Sequence, residues 1–340
     1  MPGMSDVKVG LALGGGAARG WAHIGVLKAL ARAGIQPDII AGTSIGAVVG
    51  GCYSAGHLDN LEHWALDLTP KRIFGYLDFN LAGTGLISGQ RLCGRLEQHL
   101  GDCNIESLKT RFTAVATEVG TGHEHWLSRG RLVEAVRASY ALPGVFKPVK
   151  VNGRWLFDGA LVNPIPVSVC RALGARYVIA VNLNFDILGR GSVMSMPEAI
   201  YQDHEDEEKR LAADEDTRPD KTTGVRALLH RQFFGRGDGA PGISTVMVDA
   251  FNIVQDRIAR SRLAGDPPDV MISPRLQDIG LFDFHRAKEA IERGSQAVER
   301  QLDDIVREIG TRETKRASSI EERGRALSKS SANAFQPVAK

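Results

Sequence analysis

The sequence predicts an α/β fold in which a mostly parallel sheet is covered by helices on both faces. Short apolar runs alternate with amphipathic segments along the first half of the chain, beginning with Val7–Leu13 and Trp21–Ala33. The apolar runs carry few polar residues, which is typical of strands buried on both faces. Strands and helices in alternation favour parallel pairing with crossover helices.

Individual segments support this fold class in chain order. Val7–Leu13 ends in glycines and reads as a buried strand, and Trp21–Ala33 has apolar residues at helical spacing before Gly34 closes it. A second strand is predicted over Pro37–Ala41, and a tightly packed helix of small apolar residues over Ala47–Ala55. The remaining predicted elements are the strands Phe112–Thr117 and Tyr177–Asn182, an Asn-Gly hairpin at Val151–Arg154, a helix starting at Ile243, a late strand Val270–Ile272 and a closing helix Phe284–Ile309.

Length, net charge and cysteine content limit the classes of protein to which the chain can belong. The chain has 340 residues and a net charge of +2, with 42 Lys and Arg against 40 Asp and Glu. This length is enough for one large or two small domains. The net charge is too small for a positive electrostatic field that would indicate binding to nucleic acid. Its 4 cysteines form no C-x-x-C pair, which argues against zinc and a disulfide framework. With no secretory signal or long apolar run visible, a cytoplasmic location is expected.

The composition changes sharply after residue 185. We interpret 186–242 as a mobile insertion in a domain spanning 1–310, and 311–340 as a disordered polar tail. The acidic run Asp203–Asp216 indicates a solvated loop. In Arg226–Arg236, apolar and basic residues interleave. That pattern fits a packed helix, a lid over an acyl groove, or peripheral contact with an anionic membrane.

Three consecutive glycines, Gly14, Gly15 and Gly16, follow the first strand and open the first helix, and Arg19 follows them. Glycines let the backbone turn sharply and expose N–H groups, and the helix dipole adds positive potential. Such a loop binds an anion, either a phosphate or a developing oxyanion. The segment lacks the lysine of a P-loop and the third glycine of a dinucleotide fingerprint. A glycine turn with no ligand is the plainer alternative.

A G-x-S-x-G pattern lies between the second strand and its helix. Ser44 is flanked by Gly42 and Gly46, which relieve crowding where strand meets helix. This context predicts a nucleophile elbow, a strained turn that exposes the serine hydroxyl. The alternative is that Ser44 caps the helix with its side chain.

Asp158 is followed by Gly159 and Ala160, directly after a predicted strand, Trp155–Phe157. An Asp-Gly pair is common in turns, so the aspartate alone carries little functional weight. Together, the three segments supply oxyanion donors, a nucleophile and a carboxylate that could accept its proton. Those are the parts of an acyl-transfer site.

The order and spacing of GGGAARG, GTSIG and DGA resemble the patatin-like phospholipases. The resemblance covers about residues 7–310, including Ala138–Phe146 and Asp266–Val270, and is nearest to the bacterial branch similar to the neuropathy target esterase catalytic domain. It implies a three-layer α/β/α fold and a serine acyl hydrolase (phospholipase, lysophospholipase or esterase) that cleaves lipid acyl esters without a cofactor or metal.

In that resemblance, Ser44 is the nucleophile and Asp158 the base of a dyad that has no histidine. The glycine loop, assisted by Arg19, forms the oxyanion hole. We further expect the loop amides and Arg19 to keep Asp158 ionised and therefore weakly basic. The sequence leaves two alternatives to the acyl hydrolase open: a non-catalytic or regulatory lipid-binding module, and a nucleotide-binding protein of the Rossmann type.

Overall fold

A computed structural model of the protein describes residues 7–70, 72–73, 90–185, 243–312 and 314. Residues 1–185 and 258–340 belong to one compact unit and 186–257 to a second. The predicted insertion 186–242, with its acidic run and its apolar-basic stretch, lies outside the described residues. Of the predicted disordered tail 311–340, residues 311, 312 and 314 are helical, so the prediction is wrong there, and the rest lies outside the described residues.

The described strands and helices alternate through the chain. The strands are β1 (Val9–Leu13), β2 (Ile39–Thr43), β3 (Arg111–Glu118), β4 (Glu124–Leu127), β5 (Val149–Val151), β6 (Arg154–Asp158), β7 (Tyr177–Val181) and β8 (Val270–Ile272). The helices are α1 (Ala22–Arg32), α2 (Ile45–Ser54), α3 (Leu58–Leu66), α4 (Gln90–Leu100), α5 (Leu132–Tyr140), α6 (Val167–Ala172), α7 (Ile243–Gly265), α8 (Ala287–Glu299) and α9 (302–312).

The strands form one sheet with the order β5-β6-β3-β2-β1-β7-β8, and β4 also pairs with β3. The pairs among β3, β2, β1, β7 and β8 are parallel, whereas β4, β5 and β6 join antiparallel. One face packs against α1, α2, α5 and α8, and the other against α6 and the last turns of α7. The predicted mostly parallel sheet between two helical layers is confirmed.

β3 brings two other strands together on one of its edges. β2 runs parallel to β3 and ends with Thr43 opposite Val115. β6 runs antiparallel to β3 and ends with Asp158 opposite Ala116. β4 occupies the other edge at both positions. The carboxyl ends of β2 and β6 therefore meet head to head.

The local predictions hold with small shifts of boundary. The Asn-Gly hairpin joins β5 to β6, with Asn152 and Gly153 at φ 48° and 82°, as a type I′ turn requires. The predicted single closing helix is wrong: a short 3₁₀ turn precedes α8, and α8 and α9 are separated at residues 300–301. At this break the Gln301 N–H donates to Val298 O, three residues back, which makes a tighter turn than that of an α-helix. The Gln301 side chain donates to Met271 O, in β8.

No helix in the described part of the chain has the length and apolar content needed to cross a bilayer.

Candidate active site

Ser44 lies at the turn between β2 and α2 in a strained backbone conformation. Its φ of 57° and ψ of −124° belong to a region that L-residues rarely occupy. Ser44 occupies the N-cap position of α2, yet its side chain makes no capping hydrogen bond. The capping alternative therefore fails, and the turn instead aims the hydroxyl away from the helix.

The Ser44 hydroxyl donates a hydrogen bond of 2.6 Å to Oδ2 of Asp158. The other carboxylate oxygen, Oδ1, accepts from the backbone N–H of Ala160 at 2.8 Å. Asp158 thus ends β6, caps the short 3₁₀ turn that follows, and contacts Ser44 at the same time. The turn interpretation and the acid-base interpretation of the Asp-Gly-Ala motif both apply.

Burial dominates the electrostatics of Asp158, whose side chain is only 1% exposed. It raises the pKa of the carboxyl to about 7, although the hydrogen bonds from Ser44 and Ala160 oppose the shift. The sequence-based expectation of a weakly basic carboxylate is therefore corrected. A carboxylate with this pKa is a stronger base than an exposed aspartate and titrates near neutral pH.

Ser139, in the last turn of α5, holds the elbow in place. Its fully buried hydroxyl accepts from the Ser44 N–H at 2.9 Å and donates to Val115 O at 2.6 Å. The side chain therefore links the strained turn to β3. Sequence reasoning assigned no role to Ser139, although a serine on the apolar face of a helix was a usable signal.

The motif glycines stand where backbone segments approach closely. A Cβ on Gly42 would lie 2.5 Å from Gly46 O, and one on Gly46 would overlap Leu13 O and stand 2.8 Å from Gly14 O. A Cβ on Gly159 would overlap Val115 O. The Gly46 contacts bring the glycine loop after β1 against the elbow after β2, which follow adjacent parallel strands, and the Gly159 contact brings the Asp-Gly-Ala motif against β3.

Two of the glycine-loop amides already have acceptors in the protein. The Gly14 N–H donates to Val181 O at 3.2 Å, and the Gly15 N–H donates to Pro164 O at 3.0 Å. Each amide has a single hydrogen, so these bonds do not fit the expectation that Gly14 and Gly15 bind an oxyanion. No described residue accepts from the N–H of Gly16 or of Ala17, the next residue.

Arg19 points away from the role expected for it. Its Nε donates to Ile279 O at 2.7 Å, and Nη1 donates to Oδ1 of Asn184 at 3.4 Å. Burial lowers the pKa of its guanidinium to about 10, against the attraction of Asp283, so Arg19 stays charged at neutral pH. The side chain anchors the loop to distant backbone and makes no hydrogen bond to Ser44 or Asp158.

No imidazole group of the described residues is hydrogen-bonded to Ser44 or Asp158. His23 is the one that reaches the glycine loop, where its Nε2 lies 2.8 Å from Gly14 O. Within the described ranges, no group of three or more His, Cys, Asp or Glu side chains could hold a metal ion.

Comparison with known proteins agrees with these motifs. Residues 11–171 match the family model Patatin, described as patatin-like phospholipase. An NTE family protein of Mycobacterium tuberculosis strain H37Rv is 34% identical over 343 residues, which cover 89% of this chain and 94% of that protein. The patatin-like phospholipase domain-containing protein 7 of Rattus norvegicus is 35% identical over 182 residues, 52% of this chain and 13% of that protein.

The protein named lysophospholipase nte1 in Emericella nidulans is 33% identical over 190 residues, 52% of this chain and 12% of that protein. The solved structure of VipD from Legionella pneumophila aligns with 88% of this chain and 67% of its own, at 14% identity and a TM-score of 0.40. That structural likeness is too low to add weight. The family model and the near full-length mycobacterial relative establish that the chain belongs to the patatin-like phospholipase family.

Proposed function

We propose that this protein is a serine hydrolase that cleaves lipid acyl esters. The observation that carries the proposal is the 2.6 Å hydrogen bond from Ser44, at its strained turn, to the buried Asp158. A module that only binds lipid needs neither the strain nor the buried carboxylate. Membership of the patatin-like phospholipase family and the lysophospholipase names among the relatives support the lipid substrate class.

In the proposed acylation, Ser44 Oγ attacks the ester carbonyl carbon while its proton passes to Oδ2 of Asp158. The carbonyl oxygen becomes an oxyanion, which the N–H groups of Gly16 and Ala17 stabilise. The C–O bond then breaks, and the alcohol leaves with the proton from Asp158. Ser44 is left as an acyl ester.

Deacylation repeats these steps with water. Asp158 takes a proton from water as the water oxygen attacks the acyl carbon, and the fatty acid departs as Ser44 Oγ regains the proton. The net reaction is ester plus water to acid plus alcohol. Asp158, with a pKa of about 7, both accepts and returns the proton near neutral pH. The proposed steps therefore use only Ser44, Asp158, the loop amides and water, and need no cofactor.

The decisive experiment uses two serines of the same helix region. Ser44→Ala should abolish labelling by a fluorophosphonate probe and hydrolysis of a short soluble ester, because loss of the nucleophile typically removes several orders of magnitude in rate. Ser54→Ala is the matched control, since the buried Ser54 hydroxyl donates only to Gly50 O within α2. Undiminished labelling of folded Ser44→Ala protein would refute the proposal.

We also propose that the stretch 225–234 contacts an anionic lipid surface. It lies outside the described residues, and its interleaved apolar and basic residues support the idea. Phe233→Ser with Phe234→Ser should spare a short soluble ester and lower hydrolysis of long-chain lipid in vesicles about tenfold. Equal loss of both activities would show that the stretch is internal packing.

A further inference from the structure

Asn184 lies between the glycine loop and Arg19, three residues after the end of β7. Its Nδ2 donates to Gly15 O at 3.4 Å, and its Oδ1 accepts from Arg19 Nη1 at 3.4 Å. These neighbours determine the amide orientation, because the reverse orientation would set donor against donor and acceptor against acceptor. The Asn184 N–H donates to Oδ1 of Asn182 at 2.9 Å, which holds the backbone as well.

The Gly15 carbonyl and the Gly16 N–H belong to one planar trans peptide. The two groups point in opposite directions, so a residue that holds the oxygen also sets the direction of the N–H. Glycine on both sides of a peptide leaves its rotation almost unrestricted by side chains. The orientation of the Gly16 N–H therefore depends on what binds Gly15 O.

The other peptides of the loop are held from elsewhere. Gly14 O is bound by the His23 ring, and the Gly14 and Gly15 N–H groups are bound by carbonyls of Val181 and Pro164. At the Gly15–Gly16 peptide, in contrast, Asn184 is the sole hydrogen-bonding partner that the described residues provide. The Gly16 N–H, which has no acceptor among the described residues, therefore belongs to a peptide that Asn184 alone holds.

We propose that Asn184 is a positioning residue for the oxyanion site: it holds Gly15 O so that the Gly16 N–H faces the reacting carbonyl. This inference rests on the proposed hydrolase function. Arg19 acts one step further away, because its Nη1 holds the Asn184 amide and its Nε is anchored on Ile279 O. Asn184 touches no reacting atom and acts only through the glycine peptide.

The test compares Asn184→Asp and Asn184→Ala with Asn182→Asp on a short soluble ester. Both Asn184 variants lose the Nδ2 donor, and we expect kcat to fall about 10- to 100-fold with KM changed less than about threefold, because the amide meets charge only in the transition state. Asn182→Asp adds the same charge two residues away and keeps the acceptor for the Asn184 N–H, so its kcat should stay within about twofold.

Two results would overturn the inference while leaving the hydrolase proposal standing. One is an unchanged kcat in both Asn184 variants of an active, Ser44-dependent enzyme. The other is a loss in Asn182→Asp equal to that in Asn184→Asp, with kcat unchanged in Asn184→Ala, which would make added charge the cause. Failure of the proposed function looks different, since the wild-type protein would then neither hydrolyse the ester nor react with the fluorophosphonate. Thermal unfolding of each variant, followed beside the kinetics, separates a fall in kcat from a loss of folded protein.

Discussion

Thr43 and Asp158 occupy neighbouring positions on one edge of β3, opposite Val115 and Ala116. Because β2 and β6 approach this point from opposite directions, the residue after Thr43 and the last residue of β6 must meet. The contact between Ser44 and Asp158 is therefore a consequence of strand pairing and does not rely on a flexible loop. Side chains held in this way by regular structure are positioned before any ligand arrives.

The first prediction concerns the pH dependence of hydrolysis. Asp158 accepts a proton only when ionised, and burial raises its pKa to about 7. We expect kcat/KM for a non-titrating short ester to rise with pH and level off above about 7, with roughly a hundredfold difference between pH 5 and pH 8. A rate profile measured from pH 4 to pH 9 checks this. A midpoint near pH 4 would contradict the raised pKa.

The second prediction is that Asp158→Asn lowers the rate of hydrolysis and raises the stability of the folded protein at neutral pH. The carboxyl pKa is about 7 in the folded protein, above the value near 3.9 of an unfolded aspartate. The folded state therefore binds more protons between these values, and the wild-type protein loses stability as the pH rises through that window. Asparagine can still bond Ser44 and the Ala160 N–H without carrying a charge.

The measurement for Asp158→Asn is thermal unfolding at pH 4, 5.5 and 8. The variant should gain stability relative to the wild type as the pH increases, while hydrolysis falls nearly as far as in Ser44→Ala because the two residues act as a unit. A stability difference that stays constant with pH would show that Asp158 is not the group that titrates.

The third prediction uses the strain at Ser44. With φ at 57°, a side chain at this position is disfavoured and glycine is not. Ser44→Gly should therefore be more stable than Ser44→Ala by roughly 1 kcal/mol, although both variants lack the Ser44 hydroxyl. Denaturant unfolding of the two inactive variants measures the difference. Equal stability would mean that the elbow stores no strain.

The fourth prediction contrasts two helical glycines. A Cβ on Gly46 would overlap the Leu13 carbonyl oxygen, whereas nothing lies within 4 Å of a Cβ on Gly94 in α4. Gly46→Ala should destabilise the protein by about 1–3 kcal/mol or prevent folding. Gly94→Ala should stabilise it by roughly 0.5–1 kcal/mol, because alanine is the better helix former. Thermal unfolding of both variants provides the comparison.

The fifth prediction is that no histidine serves as the base. Alanine in place of His57, His123, His125 or His285 should leave hydrolysis within about tenfold of wild type. His23 is different, because burial lowers its pKa to about 4 and the neutral ring donates to Gly14 O. His23→Gln, which retains a donor, should keep more activity than His23→Leu. A histidine as essential as Ser44 in folded protein would refute the dyad.

The predicted elements and motif positions came from local signals. Apolar runs mark the strands of the central sheet, and the G-x-S-x-G pattern marks the elbow. The Gly42 backbone is confined by Gly46 and Ala47, a few residues away, whereas Gly46 is confined by Leu13 and Gly14 at the end of the neighbouring strand. Local signals do not indicate the break between α8 and α9, where the Gln301 side chain donates to Met271 O, 30 residues away in the chain.

The sequence by itself determined the fold class, the strand-turn-helix setting of Ser44 and the identity of a candidate carboxylate. Only the tertiary structure decided which loop amides have acceptors, where Arg19 points, and that Ser139 and Asn184 brace the site. It also decided the pKa of Asp158, because desolvation depends on every segment packed around the carboxyl. Backbone propensity and hydrophobic periodicity act over a few residues, whereas hydrogen-bond partners and burial arise between segments far apart in the chain.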